Sequence, residues 1–171
     1  MMENPMFLID QITKLAPGMI FQYNLSIDGK TSISYATDYI KEVFDLTLSD
    51  VENDDSLLLK KIHPDDLDGF IKSINDSAIS LQEWSYEYRV VLPNKETLWY
   101  LGKSRPIKNV DGKITWIGII SNITNYKIIE QELIHSSRLY SVIEAHKGNI
   151  SVESSLGIGS IFKVDLPLYS S

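Results

Sequence analysis

Five segments of the chain have the residue pattern of β-strands, either an alternation of hydrophobic and polar residues with a period of two or, in the fifth, a nearly continuous apolar run. The five segments are Met19–Leu25, Thr31–Tyr35, Glu83–Leu92, Thr97–Ile107 and Lys113–Ser121. Asp28-Gly29 and Asp111-Gly112 are hairpin turn signals between neighbouring segments. A helical block separates the second strand from the third. This order predicts an α+β fold with an antiparallel sheet and helices on one face.

The block between the second and third strands has the three- and four-residue spacing of helices. It predicts short helical pieces at Tyr39–Phe44, Ser49–Asn53 and Ser56–Ile62. A longer helix is expected to begin at His63-Pro64-Asp65-Asp66. Proline is tolerated in the first turn of a helix, and carboxylates there favour the positive end of the helix dipole.

Two further helices flank the predicted sheet domain. Asn4-Pro5 and Pro17-Gly18 bound a short N-terminal amphipathic helix. The segment Tyr126–His146 carries apolar residues at three- and four-residue steps, which predicts a short coiled coil. Both helices are expected at or near a homodimer interface. The interface candidates are Phe7, Ile12, Tyr126, Ile129, Leu133 and Tyr140.

The end of the chain predicts a β-hairpin. Its strands are expected at Ile150–Glu153 and Ser160–Leu166, joined by a turn at Gly157-Ile158-Gly159. These glycines lie between two strands, whereas a phosphate-binding loop lies between a strand and a helix. A lone hairpin is marginally stable in water, so this one is expected to dock on another surface.

Composition narrows the classes of function. The net charge of −7 and the lack of a dense basic patch disfavour nucleic-acid binding. The chain has no cysteine, which excludes disulfides, thiolate metal sites and a cysteinyl adduct to a flavin. No apolar run approaches the roughly 20 residues that cross a bilayer, and the start lacks a basic region typical of a signal peptide. We therefore expect a cytoplasmic protein without membrane contact.

The segment from Pro17 to Leu133 resembles the PAS family. Four stretches carry the resemblance, at residues 17–24 (PGMIFQYN), 62–66 (IHPDD), 86–99 (YEYRV followed by LW) and 117–124 (IGIISNIT). The resemblance implies a five-stranded antiparallel sheet curled around a small cavity, and a helix that carries a signal outwards. Asn122 and Thr124 lie at the exit motif, where the family often has Asp-Ile-Thr.

The remainder resembles pieces of a histidine kinase. Residues 132–139 (ELIHSSRL) look like the approach to a dimerisation helix. Residues 143–154 (IEAHKGNISVES) and 157–162 (GIGSIF) look like the last helix and hairpin of the ATPase domain. The resemblance implies an N-terminal cap helix at 1–16, a PAS domain at 17–124, an exit helix at 125–147 and a hairpin remnant at 148–171.

The kinase resemblance lacks the catalytic parts. The family's phosphoacceptor histidine is followed by glutamate, whereas Ser136 follows His135 and Lys147 follows His146. The asparagine-containing and Asp-x-Gly-x-Gly nucleotide boxes have no counterpart in the chain. We therefore expect no catalytic residues and no enzyme activity.

Aromatic residues dominate the predicted core, where they either line a ligand cavity or fill the space completely. Large side chains tend to pack to native density, which favours a filled core. The candidates for a cavity are Phe21, Tyr23, Tyr35, Phe44, Phe70, Tyr86, Tyr88, Trp99 and Ile117. We expect no cofactor, because no basic cluster suits a flavin phosphate. We expect no metal site, because the aspartates between 54 and 68 lack the spacing of a calcium loop.

Three functions remain open from the sequence. The first is a sensory PAS module that forms a homodimer and signals to a sensor kinase or response regulator. The second is a ligand-free dimerisation module that modulates intact kinases. The third is a degenerate kinase fragment that still binds ATP.

Overall fold

A computed structural model describes residues 13, 16–94, 96–155, 159–165 and 167. The chain divides into two compact units between Thr124 and Asn125. The interface candidates Phe7 and Ile12 lie outside the described residues, as does most of the predicted N-terminal helix. None of the helices in the described part is long and apolar enough to cross a bilayer.

The first unit contains the predicted five-stranded antiparallel sheet, which is confirmed. Its strands are β1 (Met19–Leu25), β2 (Thr31–Ala36), β3 (Trp84–Val91), β4 (Thr97–Lys108) and β5 (Ile114–Asn122). Their order across the sheet is β2-β1-β5-β4-β3, and every neighbouring pair is antiparallel. The first and last strands of this sheet, β1 and β5, therefore pair in its interior, while the helical block connects its two edge strands.

The helical block forms three α-helices and one turn of 3-10 helix. They are α1 (Ile40–Phe44), the 3-10 turn (Leu48–Asp50), α2 (Ser56–Leu59) and α3 (Pro64–Ser80). The piece predicted at Ser49–Asn53 is shorter and begins earlier, because the Asp50 carboxylate accepts hydrogen bonds from the amide and hydroxyl of Thr47 at 2.7 and 2.6 Å. That reciprocal cap closes a single turn.

The helix predicted at Ser56–Ile62 ends at Leu59. Ile62 instead forms an isolated antiparallel bridge with Val90, and the amide of His63 donates to the carbonyl of Arg89 at 2.9 Å. The chain then enters α3, where Nδ1 of His63 accepts from the amide of Asp65 at 3.2 Å. His63 thus caps the helix, as expected of a residue at a helix start.

The core lies between the sheet and the helices. Its largest fully buried side chains are Trp116, Tyr88, Tyr100, Phe44 and Met19. Two indole groups join the sheet to α3: Trp84 Nε1 donates to Ser73 Oγ at 2.8 Å, and Trp116 Nε1 donates to Ser77 Oγ at 3.0 Å. Since the two serines are four residues apart, they lie on one face of α3.

The second unit consists of one helix and a hairpin. Helix α4 (Thr124–Ala145) leads into this unit, and β6 (Asn149–Ser155) pairs antiparallel with β7 (Gly159–Asp165). The helix ends at Ala145, and Lys147 beyond it has a left-handed backbone conformation, at φ 53°. The amide of Gly148 donates to the carbonyl of Ile143 at 2.8 Å, which closes the helix end.

Candidate ligand cavity and signal exit

A small cavity lies inside the first unit, between the sheet and α1, α2 and α3. Its volume is about 40 Å³. A dry cavity of about 150 Å³ accommodates benzene, so this one suits a water molecule or a guest of one or two non-hydrogen atoms. Half of its lining residues are aromatic: Phe21, Tyr23, Phe44, Phe70, Trp84, Tyr88 and Trp116.

Two hydroxyl groups in the cavity lining lack a partner. Tyr88 and Ser104 are 0% and 4% exposed, and among the described residues Tyr88 Oη and Ser104 Oγ have no hydrogen-bond partner. Burial raises the pKa of Tyr88, so its hydroxyl stays protonated. A buried polar group without a partner costs about 1–3 kcal/mol, so both groups lower the stability of the core.

A buried carboxylate also lines the cavity. Asp55 is 3% exposed, and its two oxygens accept hydrogen bonds from the hydroxyls of Tyr23 and Thr31, each at 2.7 Å. Burial and the adjacent Asp55 raise the pKa of Tyr23, which keeps that hydroxyl a donor. The carboxylate therefore ties α2 to β1 and β2.

The start of α3 is fixed to β3 by a bidentate ion pair. Arg89 donates from Nε and Nη2 to the carboxylate of Asp66 at 2.9 and 2.6 Å, and the amide of Arg89 adds a third bond at 2.8 Å. These bonds lower the pKa of Asp66. The guanidinium carbon lies 5.4 Å from the ring centre of Trp99, so the cation also covers that ring.

The same Trp99 holds the start of the last helix. Its amide donates to Oγ1 of Thr124 at 2.9 Å, and its carbonyl accepts from the amide of Ile123 at 2.8 Å. The amide of Thr124 donates to Oδ1 of Asn122 at 2.9 Å. The exit motif predicted at Asn122 and Thr124 is therefore a hydrogen-bonded junction between β4, β5 and α4.

The sequence of residues 33–120, just over half of the 171 residues, matches the model of a family described as the PAS fold. The chain belongs to the PAS fold family. No curated protein matches the sequence.

Solved structures share the fold of this PAS domain. A sensory box histidine kinase/response regulator from Burkholderia thailandensis matches with a TM-score of 0.58 at 16% identity, over 77% of this chain and 97% of that one. The N-terminal domain of a diguanylate cyclase with PAS/PAC sensor from Marinobacter aquaeolei matches with a TM-score of 0.53 at 11% identity, over 63% and 98%.

The structure places five of the nine cavity candidates in the cavity lining of the PAS domain. These five are Phe21, Tyr23, Phe44, Phe70 and Tyr88. Tyr35 and Ile117 are instead 43% and 51% exposed. Tyr86 packs across Gly69 and Phe70 of α3. Trp99 lies beside Arg89, as described above.

The exposed position of Tyr35 follows from a β-bulge. Gln22 pairs with Tyr35 but Tyr23 pairs with Ile33, so β2 has one extra residue at this point. A bulge breaks the alternation of faces. Ile33 therefore reaches the core and Tyr35 does not, although the spacing predicts a shared face.

Sequence reasoning missed Asp55 and Ser104 as cavity residues. Asp55 belongs to an acidic run that was attributed to helix caps and surface charge. Ser104 is one small polar residue in a long strand. The available signal for Ser104 was its position in β4, since Tyr100, Gly102 and Ser104 share one face by period two, and all three are buried.

The described apolar interface candidates on α4 are exposed within the PAS chain. Tyr126, Ile129, Leu133 and Tyr140 are 60%, 56%, 66% and 54% exposed. Ile143, the next apolar residue in the same row, is 9% exposed. The residues follow a three-four spacing with Ser136 at the intermediate position, which is the spacing of a coiled-coil seam.

Proposed function

We propose that this PAS domain is a sensory module of a truncated histidine kinase. In this proposal it binds a small molecule in its cavity, forms a homodimer through α4, and passes a change in the cavity to a protein partner without catalysis. The observation that carries the proposal is the double role of β4. This strand contributes Ser104 to the cavity and Trp99 to the start of α4.

The coupling from cavity to helix is mechanical. Ser104 and Trp99 are five residues apart on one strand, so a shift of β4 moves both. The Trp99 backbone holds Thr124 and Ile123, so the same shift biases the start of α4. A ligand acts by favouring one of two arrangements of this junction, and its effect is limited to its difference in affinity for the two.

The partner of the exposed row on α4 is a second copy of the chain. Its spacing is 126, 129, 133, 136, 140 and 143, which is nearly three heptads. Four of these positions carry large apolar side chains that are more than half exposed. Ser136 lies in the seam, and a polar residue there favours one register at a cost in stability.

Analytical ultracentrifugation of the full chain tests the homodimer. We expect a dimer at tens of micromolar, and Leu133→Glu is expected to produce a monomer because it places a charge in the seam. Ile79→Glu is the matched control, since Ile79 is 85% exposed on α3 and lies outside the proposed interface. A monomeric wild-type chain, or a dimer that survives Leu133→Glu, would refute the interface.

The second unit is proposed to be the remnant of the kinase ATPase domain, and the whole chain to be catalytically inactive in the cytoplasm. The motifs that hold a nucleotide are absent from the sequence. Isothermal titration with ATP and Mg²⁺ separates this proposal from a degenerate ATP-binding fragment. Micromolar ATP affinity would favour the fragment. Signalling partners are a sensor kinase or a response regulator.

A ligand-free dimerisation module that modulates intact kinases is the alternative. The small cavity beside Tyr88 and Ser104 supports the ligand-binding form, because a completely filled core leaves no void. Hydrogen exchange at the start of α4 distinguishes the two. A cavity guest is expected to change exchange at Thr124 only in the sensory module.

A further inference from the structure

We propose that two homodimers of this chain associate through a second apolar seam on α4, in antiparallel orientation, as a four-helix bundle. The inference rests on the proposed homodimer and adds a second surface at which copies of the chain meet. The row of α4 residues proposed for the homodimer is called the first seam. The second seam also follows three- and four-residue steps, and it consists of Ile128, Glu132, His135, Leu139 and Val142.

The apolar members of the second seam are open to solvent in a single chain. Ile128, Leu139 and Val142 are 49%, 47% and 58% exposed. They lie on a different side of α4 from the first seam, so a homodimer that closes the first seam leaves all three exposed. Large aliphatic side chains exposed along one side of a helix mark a site of contact with another surface.

The angle between the two seams fits a bundle of four helices better than a pair of helices. At 3.6 residues per turn, the centres of the two seams lie about 110° apart around the axis of α4. A helix in a two-stranded coiled coil contacts one neighbour through one seam. A helix in a four-helix bundle contacts two neighbours, and the directions to them are about a right angle apart. The second seam therefore fits a helix of another homodimer.

The two polar members of the second seam select the orientation. In a parallel arrangement each residue of the seam meets its own copy, so two Glu132 carboxylates face each other. In an antiparallel arrangement Glu132 lies opposite His135 of the neighbouring copy. The same register places Ile128 opposite Leu139, because both pairs are symmetric about one point of the helix. Like charges in contact are unfavourable, so the antiparallel arrangement is favoured.

The second seam is expected to be weaker than the first. Glu132 and His135 are exposed in a single chain and lose water when the seam closes, and they occupy the middle of the seam. A polar residue in a seam lowers the stability of the assembly. Because association follows mass action, we expect dimers at tens of micromolar and tetramers at several hundred micromolar.

Sedimentation equilibrium of the full-length protein over this range of concentration tests the inference. We expect a dimer–tetramer equilibrium for the wild-type chain. Ile128→Glu places a charge opposite Leu139, and it is expected to abolish the tetramer while the dimer persists. Ile134→Glu is the matched control, since Ile134 is 48% exposed but lies more than about 100° from the centre of either seam around the helix axis. The control is expected to leave the tetramer unchanged.

Cysteine cross-linking tests the orientation, because the chain has no cysteine of its own. The double variant with Ile128→Cys and Leu139→Cys is expected to form disulfide-linked pairs of chains on oxidation at concentrations that give the tetramer. Each single variant is expected to stay unlinked, since neither position meets its own copy in the antiparallel arrangement. Efficient cross-linking of Ile128→Cys alone would overturn the antiparallel orientation.

The outcomes distinguish this inference from the proposed homodimer. A wild-type chain that stays dimeric at several hundred micromolar overturns the second seam and leaves the homodimer in place. A tetramer that survives Ile128→Glu has the same consequence. A chain that is monomeric at every concentration refutes both the homodimer and the tetramer.

Discussion

Trp116 on β5 donates its indole N–H to the hydroxyl of Ser77 on α3 at 3.0 Å, and both side chains are buried. The hydroxyl of Ser77 in turn donates to the carbonyl of Gln82 at 2.7 Å. Because Ser77 accepts one bond and donates another, a single small side chain ties the central sheet to the helix and to the chain that follows it.

Ser77→Ala is expected to destabilise the protein by about 1–3 kcal/mol, because it leaves the buried indole N–H of Trp116 without an acceptor. Urea unfolding followed by tryptophan fluorescence measures the loss. Ser80→Ala is the matched control: the hydroxyl of Ser80 donates to the carbonyl of Asp76 at 2.7 Å, but Ser80 is exposed. If Ser77→Ala lowers the free energy of unfolding no more than Ser80→Ala does, Ser77 does not stabilise the protein as the acceptor for Trp116.

The strands were predictable from the sequence because their signals are local. Asp-Gly turns between neighbouring strands indicate the β1–β2 and β4–β5 hairpins. The pairing of β1 with β5 is different, since Met19 pairs with Ile120 from the far end of the domain. Period alone does not select such a partner, so the order of the strands across the sheet did not follow from the sequence.

The cavity lining was predictable only in part, because the face of a residue depends on tertiary structure. In β5, Ile117 lies in a nearly continuous apolar run, where the alternation that assigns a face is weak. In β4, Tyr100 faces inward and Trp99 outward, but both are aromatic. A sequence cannot show which hydroxyls lack a hydrogen-bond partner, because partners are defined only by the three-dimensional structure.

The ion pair of Asp66 and Arg89 predicts a pH dependence of stability. Hydrogen bonds from Arg89 lower the pKa of Asp66 in the folded state. Its contribution is therefore fully present above the unfolded carboxyl pKa of about 3.9, and it is lost as the pH falls through the lower folded value. We expect Asp66→Asn to lower the free energy of unfolding at pH 7 by roughly 1–2 kcal/mol and to flatten its fall in acid.

Chemical denaturation at a series of pH values between 2 and 7 measures both effects of Asp66→Asn. Asp65→Asn is the control, because Asp65 lies 3.6 Å from the same guanidinium but its side chain is 75% exposed. An exposed pair contributes about 0–1 kcal/mol. A flatter acid dependence in Asp65→Asn than in Asp66→Asn would show that Asp66 is not the carboxylate that titrates.

The hydrogen bonds at the start of α4 predict that one substitution increases the local stability of this junction. Asn122→Asp replaces the neutral acceptor of the Thr124 amide with a carboxylate, which is stronger as an acceptor and favours the positive end of the helix. We expect slower hydrogen exchange at Thr124, by roughly two- to fivefold at pH 7, which corresponds to about 0.3–1 kcal/mol. The gain should disappear below about pH 4, where the new carboxyl is protonated. Asn75→Asp, the same substitution at an exposed position on α3, should leave Thr124 unchanged. Unchanged or faster exchange at Thr124 in Asn122→Asp would mean that Asn122 does not limit the stability of this junction.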